Sequence, residues 1–429
     1  MRLLRTSAEI LAGRVGLVAL SVAVGLLVAR ALGPVGQGHY SLTVAVLALV
    51  AALVNGGIGL AAVPVVRRAQ ASIGQVLRAQ GLWSGLVTLV VLTAALVATG
   101  GAAGRWSARV LGWDRAVALI AGGGACALLA CETLSYDLLA MGRLVAGTGA
   151  SLIRATLQLV LLAALVAAGW LNLTAAVGAF AAAHVAGVAL LLGIAQRAAR
   201  KGAEVAPRSI GTRRLLRALL REGWLGQLSS VSSLLHLRLN LALLAAWHGP
   251  AAVGVYSVAM LVGELLWHLP GALSPVLVYS SADPAAECAR DRLAARAVRL
   301  GLGATAIAAL PVAILAGPLL PRLFGAEYAP AAPALRALLP GIVAYAAGAV
   351  LAGDFIGRGR PAWNAHASAL TLGLNLLAGL LLVPRHGAVG AAWASTLAYT
   401  GGAAWMLVRF RQASRLGWRE LCGWQRAVS

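Results

Sequence analysis

The sequence predicts an all-α, polytopic membrane protein of about twelve transmembrane helices, arranged as two six-helix lobes related by a pseudo-twofold axis along the membrane normal. Three observations lead to this fold class. Of the 429 residues, 60% are hydrophobic and only 11% are charged, whereas soluble domains have about 25% charged residues. Basic residues stand in short clusters between long apolar runs, and short sequence landmarks recur at about half the chain length.

The apolar runs divide into segments long enough to cross a bilayer, which takes about twenty mostly apolar residues. The first run begins near the N-terminus and shows no credible cleavage site, so we expect a first membrane helix rather than a removed signal peptide. The predicted spans are 10–32, 41–63, 79–99, 116–139, 145–169, 173–195, 224–246, 252–276, 299–321, 334–356, 363–384 and 388–408.

The distribution of basic residues predicts the orientation of these spans. With the N-terminus inside, 25 of the 35 Lys and Arg residues fall in cytoplasmic segments, seven fall on the opposite side and three lie within spans. Positive charge favours the cytoplasmic side, and one missed span would scramble the alternation. We therefore expect an even number of spans, with both termini in the cytoplasm.

Internal repeats support two tandem copies of a six-helix unit. Three short matches relate the two halves of the chain. Two of them are Gly142-Arg143 with Gly357-Arg358, and 177–179 with 389–391. The third is longer and lies near the start of each copy. In the longer match Gly33-Pro34, Gly38, Tyr40 and Ser41 recur 216 residues later as Gly249-Pro250, Gly254, Tyr256 and Ser257.

The predicted domains are an N-terminal lobe (1–196), a basic cytoplasmic linker with an amphipathic helix (197–222), a C-terminal lobe (223–410) and a basic cytoplasmic tail (411–429). In the linker, leucines and arginines fall on opposite faces of the predicted helix. That pattern suits either a helix on the anionic inner leaflet or a solvated linker helix.

Several functional classes lack support in the sequence. The net charge of +22 is explained by membrane orientation, so we expect no nucleic-acid partner. The four cysteines, Cys126, Cys131, Cys288 and Cys422, lack the spacing of a zinc or redox motif. Phosphate-loop, HExxH and GxSxG signatures are absent. We expect neither an enzyme nor a bound cofactor or metal.

Ionisable residues inside the spans are the candidate functional residues, because each costs about 2.5–3.5 kcal/mol at a helix centre. Arg238 lies deep in the seventh span, flanked by His236 and Asn240. The alternatives are a polar stripe facing substrate or an ion, and a structural pair between helices.

Two more arginines lie within spans. Arg154 is near the middle of the fifth span, with Gln158 one turn on, and suits a cavity or an ion pair. Arg14 is about one turn into the first span, where its side chain can also reach the headgroups.

Carboxylates within the spans are candidates for ion coupling. Glu132 and Asp137, on the fourth span, either neutralise Arg154 or Arg14 or carry a coupling proton. Glu264 and His268 are four residues apart and are expected to share a helix face before Pro270, as a proton relay or as a buried hydrogen bond.

At the end of the tenth span, Asp354 and Arg358 are also four residues apart. We expect them to form a salt bridge at the membrane boundary.

Several segments resemble the polysaccharide transporters of the multidrug/oligosaccharidyl-lipid/polysaccharide exporter superfamily, a family that includes the O-antigen flippases. In order, these segments are ARALGPVGQGHYSLTVAVLALVAALVNGGIGLAAVPVV, VGVYSVAMLVGELLWHLPGAL, LFGAEYAPAAPALRALLPG and LVPRHGAVGAAWAS.

The resemblance implies two lobes around a cavity that opens alternately to either side of a bacterial plasma membrane. It implies a substrate of undecaprenyl diphosphate carrying an oligosaccharide repeat unit, moved outward for polysaccharide or lipopolysaccharide synthesis. Polysaccharide polymerase and glycosyltransferases are the expected partners. The three arginines within spans, Arg238, Arg154 and Arg14, would supply cations for the diphosphate.

Three alternatives remain open. A proton- or sodium-coupled drug or cation exporter would place carboxylates at the centre, and Glu264 keeps it in consideration. The peptidoglycan-precursor flippase is expected to have fourteen helices, more than this chain provides. A non-transporting scaffold of a glycan-assembly complex would need no polar cavity.

Overall fold

A computed structural model describes residues 2–68, 70–201, 210–271, 273–274, 277–278, 281, 287–414 and 416–417. The middle of the predicted linker and most of the predicted tail lie outside these residues. The chain divides into two compact units, 1–231 and 232–429, and each is described below by itself.

The described residues are helical almost throughout, which confirms the predicted all-α class. The helices are α1 (Arg2–Asn55), α2 (Ile58–Arg67), α3 (Ile73–Ala98), α4 (Gly101–Leu111), α5 (Arg115–Ala140), α6 (Leu144–Ala167), α7 (Leu173–Lys201), α8 (Thr212–Leu265), α9 (His268–Gly271), α10 (Glu287–Phe324), α11 (Ala331–Gly357) and α12 (Ala362–Ala413).

Within the described residues, nine helical stretches are long and apolar enough to cross a membrane, and three of them have 44 to 52 residues. Each of those three contains a glycine with non-helical backbone angles, at Gly33, Gly249 or Gly387. A bilayer crossing takes about twenty residues, so each long stretch provides two crossings. The nine stretches of the described residues, three of which cross twice, give twelve crossings, in agreement with the predicted number of about twelve transmembrane helices.

Several boundaries differ from prediction, and α10, for example, begins at Glu287, twelve residues before the predicted span 299–321. At two places an apolar run predicted as one span is interrupted. The second span was predicted over 41–63, whereas the helix after the Gly33 kink ends at Asn55 and a separate short helix, α2, follows the Gly56-Gly57 turn. The eighth span was predicted over 252–276, but α8 ends at Leu265 and only the four-residue helix α9 follows. In both cases turn-forming residues interrupt an apolar run that hydropathy alone treats as continuous.

The same kink occurs once in each unit. Gly33 and Gly249 have φ angles of 65° and 75°, with ψ near 180°, a conformation that is essentially restricted to glycine. Proline follows in both cases and tolerates the broken hydrogen bonding. The recurrence of Gly33-Pro34 as Gly249-Pro250 therefore reflects a shared backbone feature.

A second shared feature corrects the predicted repeat register. Gly142 and Gly359 both have positive φ and follow the last turn of a helix. The chain amides around them bond back in the same pattern. Gly142 therefore corresponds to Gly359, and not to Gly357 as the sequence match indicates. This register makes Asp137, in α5, the counterpart of Asp354, in α11.

The described part of the linker joins the first unit through its leucines. Leu215 and Leu219, near the start of α8, are buried in a cluster with Ile58, Val65 and Val76 of α2 and α3. The arginines on the opposite face are exposed. The apolar face of this amphipathic segment is thus covered by protein.

Candidate functional site

Arg154 of α6 contacts a histidine that the sequence reasoning did not single out. Its Nη1 atom lies 3.0 Å from Nε2 of His184, on α7. The other ring nitrogen of His184, Nδ1, lies 2.8 Å from the carbonyl oxygen of Phe180 one turn earlier. The only signal in the sequence was a lone histidine in an apolar run. A carbonyl oxygen only accepts, so Nδ1 carries the hydrogen and Nε2 accepts from Arg154.

This geometry leaves the charge of Arg154 uncompensated. The ion pairs of the described residues include Arg238–Glu264, Arg290–Asp291, Arg358–Asp291 and Arg358–Asp354, and none of these four involves Arg154. The pairing of Glu132 or Asp137 with Arg154 or Arg14, expected from sequence, is absent from this part of the chain. Arg154 is therefore a partly buried cation whose observed partner is a neutral imidazole.

A second polar contact lies one turn further along α6. Gln158 donates through Nε2 to the hydroxyl of Tyr40, at 3.1 Å, and both side chains are buried. Tyr40 lies seven residues after the Gly33 kink. The contact links α6 to the second half of α1 within the first unit, next to the turn that carries Arg154.

Asp137 is the most buried carboxylate of the first unit that the structure describes. It has no exposed surface, and Nε2 of Gln80 donates to its Oδ1 atom at 3.1 Å. Its Oδ2 atom is buried and has no hydrogen-bond partner within the part of the chain that the structure describes. In the second unit its counterpart Asp354 has a partner, because Nε of Arg358 lies 2.6 Å from Asp354 Oδ2. Asp137 has Met141 at the position of that arginine.

The salt bridge predicted between Asp354 and Arg358 is confirmed and is larger than expected. Arg358 Nη2 also lies 2.8 Å from Oδ1 of Asp291, on α10. The hydroxyl of Ser281 donates to Asp354 Oδ1 at 2.6 Å. All three charged side chains are almost fully buried, and the Arg358 guanidinium lies 5.2 Å from the centre of the Phe410 ring.

The other two candidates in the first unit are exposed. Glu132 has an exposed side chain. Arg14 is exposed on α1. Beside it, Gly13 faces Thr148 of α6 so closely that a Cβ atom would overlap the threonine methyl.

In the second unit Arg238 has a counter-ion. Its Nη1 atom lies 3.4 Å from Oε1 of Glu264, and the two side chains are 35% and 29% exposed. Both residues belong to α8, on opposite sides of the Gly249 kink. The structure thus gives the most prominent arginine of the sequence a carboxylate partner and leaves Arg154 without one.

His236 and Asn240 have different bonding partners from Arg238, because they contact residues of α12 and not Glu264. Nδ2 of Asn240 donates to Oδ1 of Asn375, to the carbonyl of Ala391 and to the hydroxyl of Ser395, at 2.8–3.1 Å. Asn375 donates to the carbonyl of His236 at 2.7 Å. These contacts hold α8 against both halves of α12, and the predicted single polar stripe is in fact two faces.

Two of these partners were not predicted. Asn375 and Ser395 are single polar residues in apolar runs of α12, where only their polarity distinguishes them. Tyr256, whose hydroxyl lies 3.0 Å from Ser395 Oγ, was noticed as a repeat landmark. It is the counterpart of Tyr40, so each unit buries a hydrogen-bonded tyrosine seven residues after its kink.

The predicted sharing of one helix face by Glu264 and His268 is not observed. The α8 helix ends at Leu265, and a turn separates it from α9, which begins at His268. His268 is exposed. Because Pro270 lacks an amide hydrogen, the helical ladder is not continued through this stretch.

A metal centre finds no support in this geometry. Across the residues that the structure describes, no group of three or more His, Cys, Asp or Glu side chains is placed to hold a metal ion. The chemistry that the described residues offer is that of hydrogen bonds, the paired arginines Arg238 and Arg358, the arginine Arg154 without an observed counter-ion, and buried carboxylates such as Asp137.

Comparison with solved structures shows the same fold. An inward-facing multidrug resistance MATE-family transporter of the MOP superfamily matches with a TM-score of 0.75 at 16% identity, over 92% of this chain and 94% of that one. The lipid II flippase MurJ, in an inward closed conformation, matches with a TM-score of 0.75 at 11% identity, over 96% and 88%. A MOP-superfamily transporter from Pyrococcus furiosus, with a binding pocket of reverse polarity, gives 0.67 at 16%, over 96% and 94%.

No curated protein matches the sequence. The family model described as polysaccharide biosynthesis protein matches residues 15–267, more than half of the chain. It covers the first unit from residue 15 onward, the kink at Gly249 and the Arg238–Glu264 pair. The chain belongs to the polysaccharide biosynthesis protein family.

Proposed function

We propose that this protein is a flippase for undecaprenyl-diphosphate-linked oligosaccharide repeat units. It would move them from the inner to the outer leaflet by alternating access, for synthesis of a cell-surface polysaccharide such as O-antigen. Family membership and the fold shared with a lipid II flippase support a transporter of this type. We assign it no catalytic step.

The observation that carries the proposal is the uncompensated charge of Arg154. A cation within a span costs about 2.5–3.5 kcal/mol unless a partner offsets it, and here the observed partner is a neutral imidazole. Since Nη1 is bound to His184, the remaining donors are available to an anion. Guanidinium donors match phosphate oxygens in a two-point geometry, so a diphosphate headgroup fits this residue.

The other arginines would contribute less. Glu264 balances the charge of Arg238, which leaves Arg238 a hydrogen-bond donor and a weaker attractor of anions. Arg14 is exposed near the start of α1, where it suits a first encounter with a headgroup. With the cytoplasm negative, moving an anion outward releases about 2.3 kcal/mol per charge per 100 mV, so the membrane potential can drive export.

The test is translocation of lipid-linked oligosaccharide in proteoliposomes. We expect Arg154→Ala to lower the initial rate at least tenfold and Arg154→Lys to retain part of it, because lysine keeps the charge but not the two-point geometry. Arg238→Ala should cause a smaller loss. Arg385→Ala, which removes an exposed arginine, is the matched control. Full activity of both Arg154→Ala and Arg238→Ala would refute the role of these cations.

A proton- or sodium-coupled exporter of drugs or cations is the second candidate, and Asp137 favours it. Such an exporter needs a carboxylate that no arginine neutralises, and Asp137 has only Gln80 as an observed partner. Glu132, Glu264 and His268 remain weaker coupling candidates. Ethidium efflux by proteoliposomes with a pH gradient, abolished by Asp137→Asn, would support this alternative. Oligosaccharide translocation that persists in Asp137→Asn without a gradient would exclude it.

The third candidate, a scaffold that binds polysaccharide polymerase and glycosyltransferases without transport, makes the opposite prediction. Purified protein alone would then fail to translocate lipid-linked oligosaccharide. Complementation in cells would survive Arg154→Ala, because exposed basic loops and not the span residues would hold the partners.

We further propose that the protein lies in a bacterial plasma membrane with both termini in the cytoplasm. Single cysteines in a cysteine-free background test the orientation. Arg217→Cys should react with a membrane-impermeant maleimide only after the membrane is opened. Arg109→Cys should react in intact spheroplasts. Both positions are exposed, so access depends on the side of the membrane, and the reverse pattern would invert the assignment.

A further inference from the structure

The second unit contains a cluster of aromatic side chains beside the Arg238–Glu264 pair. The ring centres of Trp267 and Tyr345 are 5.2 Å apart, those of Tyr345 and Tyr399 are 5.5 Å apart, and those of Trp267 and Tyr399 are 6.1 Å apart. Trp267 is three residues from Glu264, and its backbone N–H donates to the Glu264 carbonyl at 3.1 Å. The His236 ring, two residues from Arg238, contacts Tyr399. These side chains form one local group, which we call the aromatic cluster.

The accessible side of the aromatic cluster is polar as well as aromatic. Trp267 and Tyr345 are partly exposed, whereas Tyr399 is buried beneath them. The neighbouring Arg238 and Glu264 side chains are about one-third exposed. Charged side chains exposed within a span face water or a ligand and not hydrocarbon, because lipid would impose a large desolvation cost. Trp267 lies three residues from Glu264, so its partly exposed edge is close in sequence to this charged pair.

Two buried ring nitrogens next to the aromatic cluster lack a hydrogen-bond partner among the described residues. They are Nε1 of Trp267 and Nε2 of His236. Both rings contact Tyr399 edge-on, with centres 6.1 Å apart. A buried polar group without a partner costs about 1–3 kcal/mol. Both nitrogens belong to rings that pack on Tyr399. We expect them to gain hydrogen-bond partners in another state of the protein, such as a state with bound ligand.

The donors and acceptors differ in kind. The indole nitrogen only donates. Nδ1 of His236 lies 3.2 Å from the Ser232 carbonyl, so its hydrogen points there and Nε2 accepts. Glu264 accepts and Arg238 donates. A ligand that satisfies this set needs groups that both donate and accept, which is the property of a hydroxyl.

The net charge of the Arg238–Glu264 pair limits which class of ligand fits beside the aromatic cluster. A diphosphate needs donors and positive charge, but the Arg238–Glu264 pair is neutral overall. An organic cation would gain from an unpaired carboxylate beside the rings, whereas Glu264 is paired with Arg238, whose positive charge opposes a second cation. A neutral ring with hydroxyl groups and an apolar C–H face matches both the aromatic faces and the mixed donors and acceptors.

We infer that the aromatic cluster of the second unit, with Trp267 and Tyr345 at its accessible edge, binds a sugar ring of the transported glycan. The inference rests on the proposed function. It differs from that function in assigning the sugar, and not the diphosphate, to this group of residues.

The test separates the sugar from the diphosphate. Purified full-length protein is titrated with two probes: undecaprenyl-diphosphate-linked oligosaccharide from the host, and undecaprenyl diphosphate. The affinity ratio of the two probes is the gain due to the glycan. We expect Trp267→Leu and Tyr345→Leu to lower this gain at least fivefold and to leave binding of undecaprenyl diphosphate within twofold of wild type. Trp267→Phe, which keeps an aromatic face, should recover much of the gain.

The matched control is Trp393→Leu, which removes a tryptophan of the same unit that is 46% exposed and outside the aromatic cluster. Equal losses for both probes, or none for either probe, in Trp267→Leu and Tyr345→Leu would overturn the inference. If wild-type protein binds neither probe, the proposed function fails and the inference fails with it. If binding of undecaprenyl diphosphate depends on Arg154 while the glycan gain is independent of the cluster, only the inference fails.

Discussion

The guanidinium of Arg154 is held 3.0 Å from Nε2 of His184, and Nδ1 of the same ring lies 2.8 Å from the Phe180 carbonyl. The His184 ring also stacks on Phe180, with centres 4.0 Å apart. A neutral acceptor fixes the direction of the guanidinium without cancelling its charge. His184 is therefore a positioning residue for Arg154, and a carboxylate in its place would neutralise the site.

Replacing His184 should lower transport through Arg154. We expect His184→Leu to reduce the translocation rate about fivefold or more, because it removes the acceptor that orients the guanidinium. His184→Gln offers an amide oxygen at similar reach and should restore much of the rate. The measurement is the initial rate in proteoliposomes, normalised to folded protein by size-exclusion chromatography.

A purely structural role for His184 would show a different pattern. In that case both variants would lose folded protein in proportion to rate. Combining His184→Leu with Arg154→Ala gives a second check, since two residues acting through one contact are not additive. A double variant whose loss equals the product of the two single losses would contradict the positioning role.

The number of spans and the pairing of Asp354 with Arg358 could be predicted because they depend on local sequence. Hydropathy over about twenty residues defines a span, and a four-residue spacing places two side chains on one helix face. The four-residue rule gave a wrong prediction for Glu264 and His268. A turn lies between them, and helix periodicity holds only where the helix continues.

The partners of the arginines could not be predicted. Arg154 meets His184 and Arg238 meets Glu264 only because particular spans pack together. Depth in the membrane marked both arginines as unusual, but it carries no information about which neighbour compensates which charge. The sequence therefore ranked Arg238 first, whereas the structure leaves Arg154 as the uncompensated cation.

The kink glycines should be intolerant of a side chain. Gly249 has φ 75° and ψ −178°, a conformation that costs other residues about 1–3 kcal/mol. We expect Gly249→Ala, and likewise Gly33→Ala, to lower the unfolding temperature in detergent. The matched control is Gly303→Ala in α10, where an added Cβ meets no atom within 4 Å and helix propensity favours alanine by up to about 1 kcal/mol. Equal unfolding temperatures for Gly249→Ala and Gly303→Ala would contradict this account.

Packing of the linker segment on the first unit should depend on Leu219. This side chain is fully buried against α2 and α3, and truncation of such a leucine costs about 2–5 kcal/mol. We expect Leu219→Ala to speed tryptic cleavage at Arg217 and Arg221 at least tenfold, because proteolysis follows the population of the open form. Leu228→Ala, at an exposed position of the same helix, should leave the rate unchanged. Equal rates for the two variants would mean that the leucine face is not what holds this segment.

Arg358 should be the most costly arginine to remove for stability. It bonds to both Asp291 and Asp354 at a buried position, so Arg358→Ala removes the cation that these two carboxylates share, although Asp291 keeps its 3.6 Å contact with Arg290. Breaking a buried pair in this way costs about 3–5 kcal/mol. We expect a matching loss of unfolding free energy in detergent. Arg360→Ala, whose guanidinium lies 4.6 Å from the centre of the Trp363 ring at the surface, should cost about 0.5–1 kcal/mol.

The cause of that loss can be separated from loss of packing by removing the stranded charges as well. In the triple variant Asp291→Asn, Asp354→Asn and Arg358→Met, both carboxylates that contact Arg358 lose their charge together with it, and the side-chain volume is nearly kept. Arg290 loses its 3.6 Å contact with the Asp291 carboxylate. Replacing a whole buried ion network by neutral groups is often harmless, so the triple variant should recover most of the stability that Arg358→Ala loses. If it is no more stable than Arg358→Ala, the network stabilises this end of the second unit by its hydrogen-bond geometry, and the carboxylates that lose Arg358 are not the source of the cost.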